Sequence, residues 1–240
     1  MRIILCDNYD EISEQGAKLV ASQVILKPDC VLGLATGSTP VGLYSNLIAM
    51  YEKGELDFSG VTSFNLDEYY PISPENPNSY KYFMNENLFD RINIKKENTF
   101  IPDGSCSNPQ ECCVEYEKLI EEHGGIDLQL LGIGENGHIG FNEPDENLNS
   151  VTHVTKLTES TIKANSRFFN SIDEVPTHAL TMGIATILKS RKIILLASGR
   201  SKHEAVKQLV TDAITTETPA TMLKVHPDVV LICDREAMNG

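Results

Sequence analysis

Short apolar runs alternate with longer amphipathic stretches along the whole chain, and this alternation restricts the fold more than any other feature of the sequence. RIILC precedes a helix predicted from about Glu11, CVLGLA one from about Val41, and TSFNLDE one from about Ser79. Further along, IDLQLLGIG, KIILLAS and DVVLICD are nearly continuous in apolar residues, flanked by amphipathic stretches from Cys112 to Glu122 and from Lys202 to Leu209. Strands with no polar face must be covered on both sides, as parallel strands in α/β proteins are. The expected fold is therefore α/β, a doubly wound (Rossmann-like), mostly parallel sheet with helices on both faces. No repeat, low-complexity tract or linker rich in Pro, Gly or Ser divides the 240 residues, so a single domain is expected.

The charge balance narrows the partners. A formal net charge of -14 repels phosphate backbones, which argues against nucleic acid, although a few local cations and helix ends still hold a small anion. The opening residues MRIILCDNYD read as a first strand, and no apolar stretch approaches the roughly 18 residues that cross a membrane. Cys6, Cys30, Cys106, Cys112, Cys113 and Cys233 follow neither a metal-binding nor a disulfide spacing, which fits reduced thiols in a cytoplasmic protein.

Open parallel sheets bind ligands outside the carboxyl ends of their strands, so the residues after each apolar run carry the functional reading. After LGLA comes Thr36-Gly37-Ser38-Thr39, then Pro40 at the expected first turn of a helix. Free N–H groups there, with Gly37 allowing close approach and Ser38 and Thr39 adding hydroxyls, suit phosphate; a plain Ser/Thr helix cap is the alternative. The lysine of an ATP-binding loop is missing. At the predicted end of the TSFNLDE strand, Asp67 and Glu68 offer a general base for a proton next to a carbonyl, or else a solvated acidic loop.

The stretch LGIGENGHIGFNEP holds a literal GxGxxG at Gly132, Gly134 and Gly137. A dinucleotide fingerprint requires a helix directly after the third glycine and an acid about 20 residues on. Here the glycines lead into His138, Gly140, Asn142, Glu143 and Pro144, which is loop chemistry, so no nicotinamide cofactor is expected. A histidine and a glutamate in one loop can form a proton-transfer pair in which the carboxylate orients the imidazole; a His138 that merely caps the loop is the alternative. No second histidine or cysteine stands at ligand spacing, so no metal is expected. Arg167 in KANSRFF and Lys202 after KIILLAS complete the candidate phosphate set, each read alone being a solvated surface cation.

Together LGLATGSTP, FNLDEYYP, GIGENGHIGFNEP, ANSRFF and ALTMGIATIL resemble the glucosamine-6-phosphate deaminase family, in order and over nearly the whole chain. The resemblance implies a modified doubly wound sheet, no cofactor, and glucosamine 6-phosphate as the small-molecule substrate. It also implies roles: Asp67 as the base moving a proton between C2 and C1, and His138 as the ring-opening group, assisted by Asn136 and Glu143. Gly37, Ser38, Thr39, Arg167 and Lys202 become the phosphate site, with a mobile lid around Arg167. Some members carry aspartate where this chain has Asn136, so any relay charge must come from Glu143. Hexameric members bind N-acetylglucosamine 6-phosphate through an arginine and a lysine at positions occupied here by His153 and Thr155, so that activator site is expected to be absent from a monomer or small homo-oligomer. The related 6-phosphogluconolactonases lack the FNEP and DEYY elements. Sugar-phosphate sensors of similar architecture need a DNA-binding helix-turn-helix, for which this chain has no room.

Overall fold

The computed structural model describes residues 1–158, 161–163, 166, 169 and 171–240. Seven strands form a sheet in the order β1-β10-β9-β6-β2-β3-β5, and every neighbouring pair in it is parallel. They are β1 (Arg2–Cys6), β2 (Val31–Leu34), β3 (Thr62–Asn65), β5 (Thr99–Phe100), β6 (Leu128–Gly132), β9 (Ile193–Ala197) and β10 (Val229–Asp234). Successive side chains of a strand face opposite ways, so apolar runs feed two cores. Leu32, Leu34, Leu128, Leu130, Ile194, Leu196, Val230 and Ile232 join one core; Val31, Leu131, Ile193, Leu195, Val229 and Leu231 join the other. Each such side chain fully removed from water contributes about 1.5–3 kcal/mol.

Helices cover both faces. On the first lie α1 (Tyr9–Leu26) and α2 (Val41–Glu52). Asn8 caps α1 by accepting the Glu11 N–H, and Ile12, Ala17, Val20, Ala21 and Val24 form its buried stripe. On the second face lie α4 (Pro109–Glu122), α5 (Ile184–Leu188), α6 (His203–Val210) and α7 (Arg235–Asn239). Cys113, Tyr116 and Ile120 face the core from α4, which accounts for Cys113 as a packing residue; Cys112 beside it is only half-buried. The short α3 (Tyr80–Met84) follows β4 (Asp67–Tyr70).

Chain order decides where a ligand can sit. From β1 the chain crosses to β2, moves outward through β3 to β5, and returns to β6 on the other side of β2 before reaching β9 and β10. The strand order therefore reverses between β2 and β6, and a crevice opens beyond their carboxyl ends.

One expected strand is two. TSFNLDE divides at Leu66, whose N–H donates to Leu34 O in the parallel sheet at 3.1 Å while its carbonyl accepts the Met182 N–H at 2.8 Å. Residues after it enter a second, antiparallel sheet, β4-β8-β7, with β7 at His153–Lys156 and β8 at His178–Thr181. Asp67 and Glu68 thus begin a strand rather than end one, opposite Thr181 and Leu180.

At the amino end of the parallel sheet Asp127 is buried and accepts from Lys27 Nζ at 2.7 Å, the Val31 N–H at 2.8 Å and Arg191 Nη1 at 2.9 Å. Asp127→Ala leaves the Val31 N–H unpaired and two cations without their acceptor. We expect a loss of about 2–4 kcal/mol, measured as a lower urea midpoint with unchanged slope.

Candidate active site

Four loops meet at the carboxyl edge. After β2 the chain turns at Gly37, whose φ of +87° suits glycine, with nothing within 4 Å of where a Cβ would stand. The Tyr9 hydroxyl on α1 donates to the Ser38 and Thr39 carbonyls at 3.0 and 3.1 Å and accepts the Gly42 N–H at 2.8 Å. The peptide between Ser38 and Thr39 is trans, so its N–H points away from Tyr9. Ser38 is exposed, Gly37 and Thr39 are half-buried, and Pro40 stands immediately before the first residue of α2, a helix long enough to offer a positive end to an anion.

Lys202 ends a short turn after β9 and leads into α6. Asp234 anchors that turn by accepting from Ser198 Oγ at 2.7 Å and Gly199 N–H at 2.9 Å. β9 is two strands from β2 on the same edge, so the two loops start roughly 10 Å apart. Arg167 lies outside the described residues.

Asp67 opens β4 and is 6% exposed. Burial, reinforced by the charge of Glu68, pushes its carboxyl up to about 8. Gly140, at φ +59°, brings the glycine-rich loop against it: a Cβ there would stand 2.9 Å from Thr181 Oγ1 and 3.5 Å from Asp67 Oδ2. Asn142 and Thr181 hold that approach. Asn142 Nδ2 donates to Ile139 O at 2.9 Å and Met182 O at 2.8 Å, and Thr181 Oγ1 accepts the Phe141 N–H at 3.1 Å.

His138 and Glu143 flank Gly140 within this loop, and Asn136 joins them. His138 Nδ1 lies 2.7 Å from Asn136 Oδ1 and 3.3 Å from Glu143 Oε2, while Asn136 Nδ2 donates to the same Glu143 oxygen at 2.6 Å. An amide oxygen only accepts, so Nδ1 carries a proton and Nε2 is left for a ligand. Gly134 leaves room for the ring, since a Cβ there would come within 2.3 Å of His138 Cε1. Burial works against a charge on Glu143, but its bond to His138, the imidazole charge, and bonds from Thr161 and Asn136 outweigh it and hold the carboxyl down to about 2. Thr161 Oγ1 donates to Glu143 Oε1 at 2.6 Å.

The structure thus brings Asp67 against the loop that carries Asn136, His138 and Glu143, and sets Gly37, Ser38, Thr39 and Lys202 on the same edge. Thr161, Thr181 and Tyr80 belong to these surroundings and were not singled out from sequence. Threonines in TEST and ALTM carry no distinguishing signal; Tyr80 follows Ser79, the cap of α3. Among the described residues, no group of three His, Cys, Asp or Glu side chains is placed to hold a metal ion, and no helix is long and apolar enough to cross a membrane.

The fold and site define an α/β protein with a crevice at a strand-order switch point and titratable groups on the same edge. Within that class the chain belongs to the family of glucosamine-6-phosphate isomerases and 6-phosphogluconolactonases, whose profile matches residues 8–231. It is 59% identical over 239 residues to a glucosamine-6-phosphate deaminase of Halothermothrix orenii, covering 100% of this chain and 99% of that one. It is 56% identical to the deaminase of Thermoanaerobacter pseudethanolicus, covering 100% and 94%. A solved structure described as a monomeric glucosamine-6-phosphate deaminase superposes with a TM-score of 0.96 at 48% identity, covering 99% of this chain and 98% of that one. The 6-phosphogluconolactonase of Thermotoga maritima, at 21% identity, 98% and 99% coverage and a TM-score of 0.77, shares the fold.

Asp67 binds its proton more tightly folded than unfolded, so between its ordinary value of 3.8 and about 8 rising pH lowers stability. Asp67→Asn removes that dependence. The variant should gain about 1.4 kcal/mol per pH unit over wild type through this window and level off above it, read by thermal unfolding across pH.

Proposed function

We propose that this chain, acting as one domain, is a glucosamine-6-phosphate deaminase that converts glucosamine 6-phosphate and water into fructose 6-phosphate and ammonia. The observation that carries this reading is the seat of Gly140 against Asp67, which sets a C–H base beside the loop that holds a ring-opening histidine. The names of the relatives at 59% and 56% identity support it.

In the reaction so assigned, Gly37, Ser38, Thr39, Lys202 and Arg167 hold the phosphate. His138 Nε2 takes the proton of the anomeric hydroxyl and returns it to the ring oxygen, opening the ring. Asn136 and Glu143 keep Nδ1 protonated and stabilise the imidazolium while it lasts. Asp67, as carboxylate, takes the C2 proton from the open chain to give an enolamine, and the proton goes back at C1. Water then adds to the resulting C2 imine, and ammonia leaves. The cationic amino group of the substrate favours the charged form of Asp67 on binding.

Ammonia and fructose 6-phosphate are expected from chelator-treated wild type and not from Asp67→Asn, with 6-phosphogluconolactone as control. Lactone hydrolysis without ammonia release would overturn the reading. The acid limb of kcat/KM, which reports the free enzyme, should lie near the value of about 8 for Asp67, and that of kcat lower.

We further propose a cytoplasmic monomer or small oligomer without the N-acetylglucosamine 6-phosphate activator site, acting without nucleic acid or membrane. Six unpaired thiols support the location. His153 and Thr155 on β7, where the activator site needs an arginine and a lysine, support the lack of activation, as does the likeness to a protein described as monomeric. The rate curve should be hyperbolic and unchanged by N-acetylglucosamine 6-phosphate; a sigmoidal curve straightened by that compound would overturn this.

A further inference from the structure

Glu68 is 2% exposed beside Asp67, and the chemistry above gives it no task. Its Oε1 accepts the N–H groups of Tyr69 at 2.9 Å and Tyr80 at 2.8 Å, and its Oε2 accepts that of Lys81 at 2.9 Å. The first N–H groups of a helix have no carbonyl within the helix to bind. α3 starts at Tyr80, so Glu68 takes its first two and Ser79 Oγ takes the third, from Tyr82 at 3.0 Å. An acidic side chain on one strand therefore fixes where a helix 12 residues away begins.

What that helix start carries is Tyr80. Its ring packs on Tyr69 with centroids 4.7 Å apart and lies parallel to Phe141 of the glycine-rich loop at 6.1 Å and 4°. Its hydroxyl stands within electrostatic reach of Tyr69, of Asp67 and of Thr36, the residue before Gly37. One ring thus joins the strand of the base to the loop of His138.

We propose that Glu68 is a positioning residue for the reaction: by fixing the first turn of α3 to the strand of Asp67, it holds the Tyr80 ring against Tyr69 of that strand and Phe141 of the glycine-rich loop. This rests on the deaminase reading for its kinetic test but not for its structural one.

The groups facing this pair are few. α3 presents Tyr80 and Lys81 and α4 presents Tyr116, while Asp103 faces Glu68 from the loop after β5. β8 opposes the pair with Thr181 and Leu180, which carry no charge. Burial, and next the charge of Glu68, raise the Asp67 carboxyl, so removing that charge shifts Asp67 downward. Glutamine has one acceptor oxygen for three convergent N–H groups, so Glu68→Gln also sets an amide N–H against a backbone N–H at the helix start.

The test follows Asp67 by carboxyl 13C NMR in wild type and Glu68→Gln, its signal identified by loss in Asp67→Asn, alongside the kinetics of ammonia release. Asp67 should titrate at lower pH in Glu68→Gln, and kcat should fall about 10- to 100-fold, as for a misplaced reacting group, with KM little changed. Tyr80→Phe keeps the Glu68 bonds and removes the hydroxyl that faces Asp67 and Thr36; it should lower kcat and leave thermal stability near wild type. A wild-type titration of Asp67 in Glu68→Gln, or a wild-type kcat in Tyr80→Phe, overturns the proposal. Should Glu68→Gln not fold, Tyr80→Phe decides. Should wild type release no ammonia, the deaminase reading fails, and the titration alone decides for Glu68.

Discussion

The parallel sheet is covered on both faces, so its polar chemistry is confined to the strand ends. Every side chain of β9 and β10 is buried, which leaves no room on either face for a group that must meet water or substrate. The reversal of strand order between β2 and β6 then opens one crevice at the carboxyl edge. The chain furnishes that crevice in two ways. Loops after β2, β6 and β9 bring glycines, hydroxyls and a lysine, while the exit at Leu66 brings in a second sheet at the same edge. Asp67 consequently stands on a strand held by Thr181 across the ladder, where a loop would hold it less firmly.

Two carboxyl groups against one glycine-rich loop are driven in opposite directions. Asp67 has little to bind and a charged neighbour, so burial raises it to about 8. Glu143 is also largely buried, yet three favourable partners, His138, Thr161 and Asn136, lower it to about 2. Near neutral pH these shifts favour a protonated Asp67 and an ionised Glu143. This separation divides the labour: the charged group belongs beside the imidazole, and the group poised near neutrality suits a proton taken from carbon and given back.

What could be read from sequence was what depends on near neighbours. Apolar runs revealed the parallel strands because both faces of the central ones are buried, as β2, β9 and β10 show, while the edge strand β1 leaves Ile3 and Leu5 exposed. His138 and Glu143 lie five residues apart, so their spacing already suggested a coupled pair, while Asn136 entered only through the family resemblance. The division of TSFNLDE was hidden because strands of two sheets look alike until their hydrogen-bond partners are known, and the partners of Leu66 come from Leu34 and Met182. Glu68 read equally well as a solvated acid, since the N–H groups it binds on α3 are 12 and 13 residues away. Thr161 and Thr181 act through contacts 18 and 40 residues distant in sequence, which no local pattern encodes.

Asn136 shows how an uncharged residue supports a charged relay. Its two ends face different partners: the oxygen takes the imidazole proton and the amide nitrogen grips Glu143. An aspartate in the same place would set two carboxylates 2.6 Å apart, and like charges at that distance share a proton. The shared proton would move between the two acids as the imidazole changed charge. With the amide, all the negative charge stays on Glu143, 3.3 Å from Nδ1, and the imidazolium is stabilised by one fixed carboxylate. The loop then needs Thr161 as well, because a single ionised group at 10% exposure requires more donors than His138 and Asn136 supply. With the amide at 136 the negative charge of this cluster rests on Glu143, which a threonine beyond the glycine-rich loop also holds by a hydrogen bond.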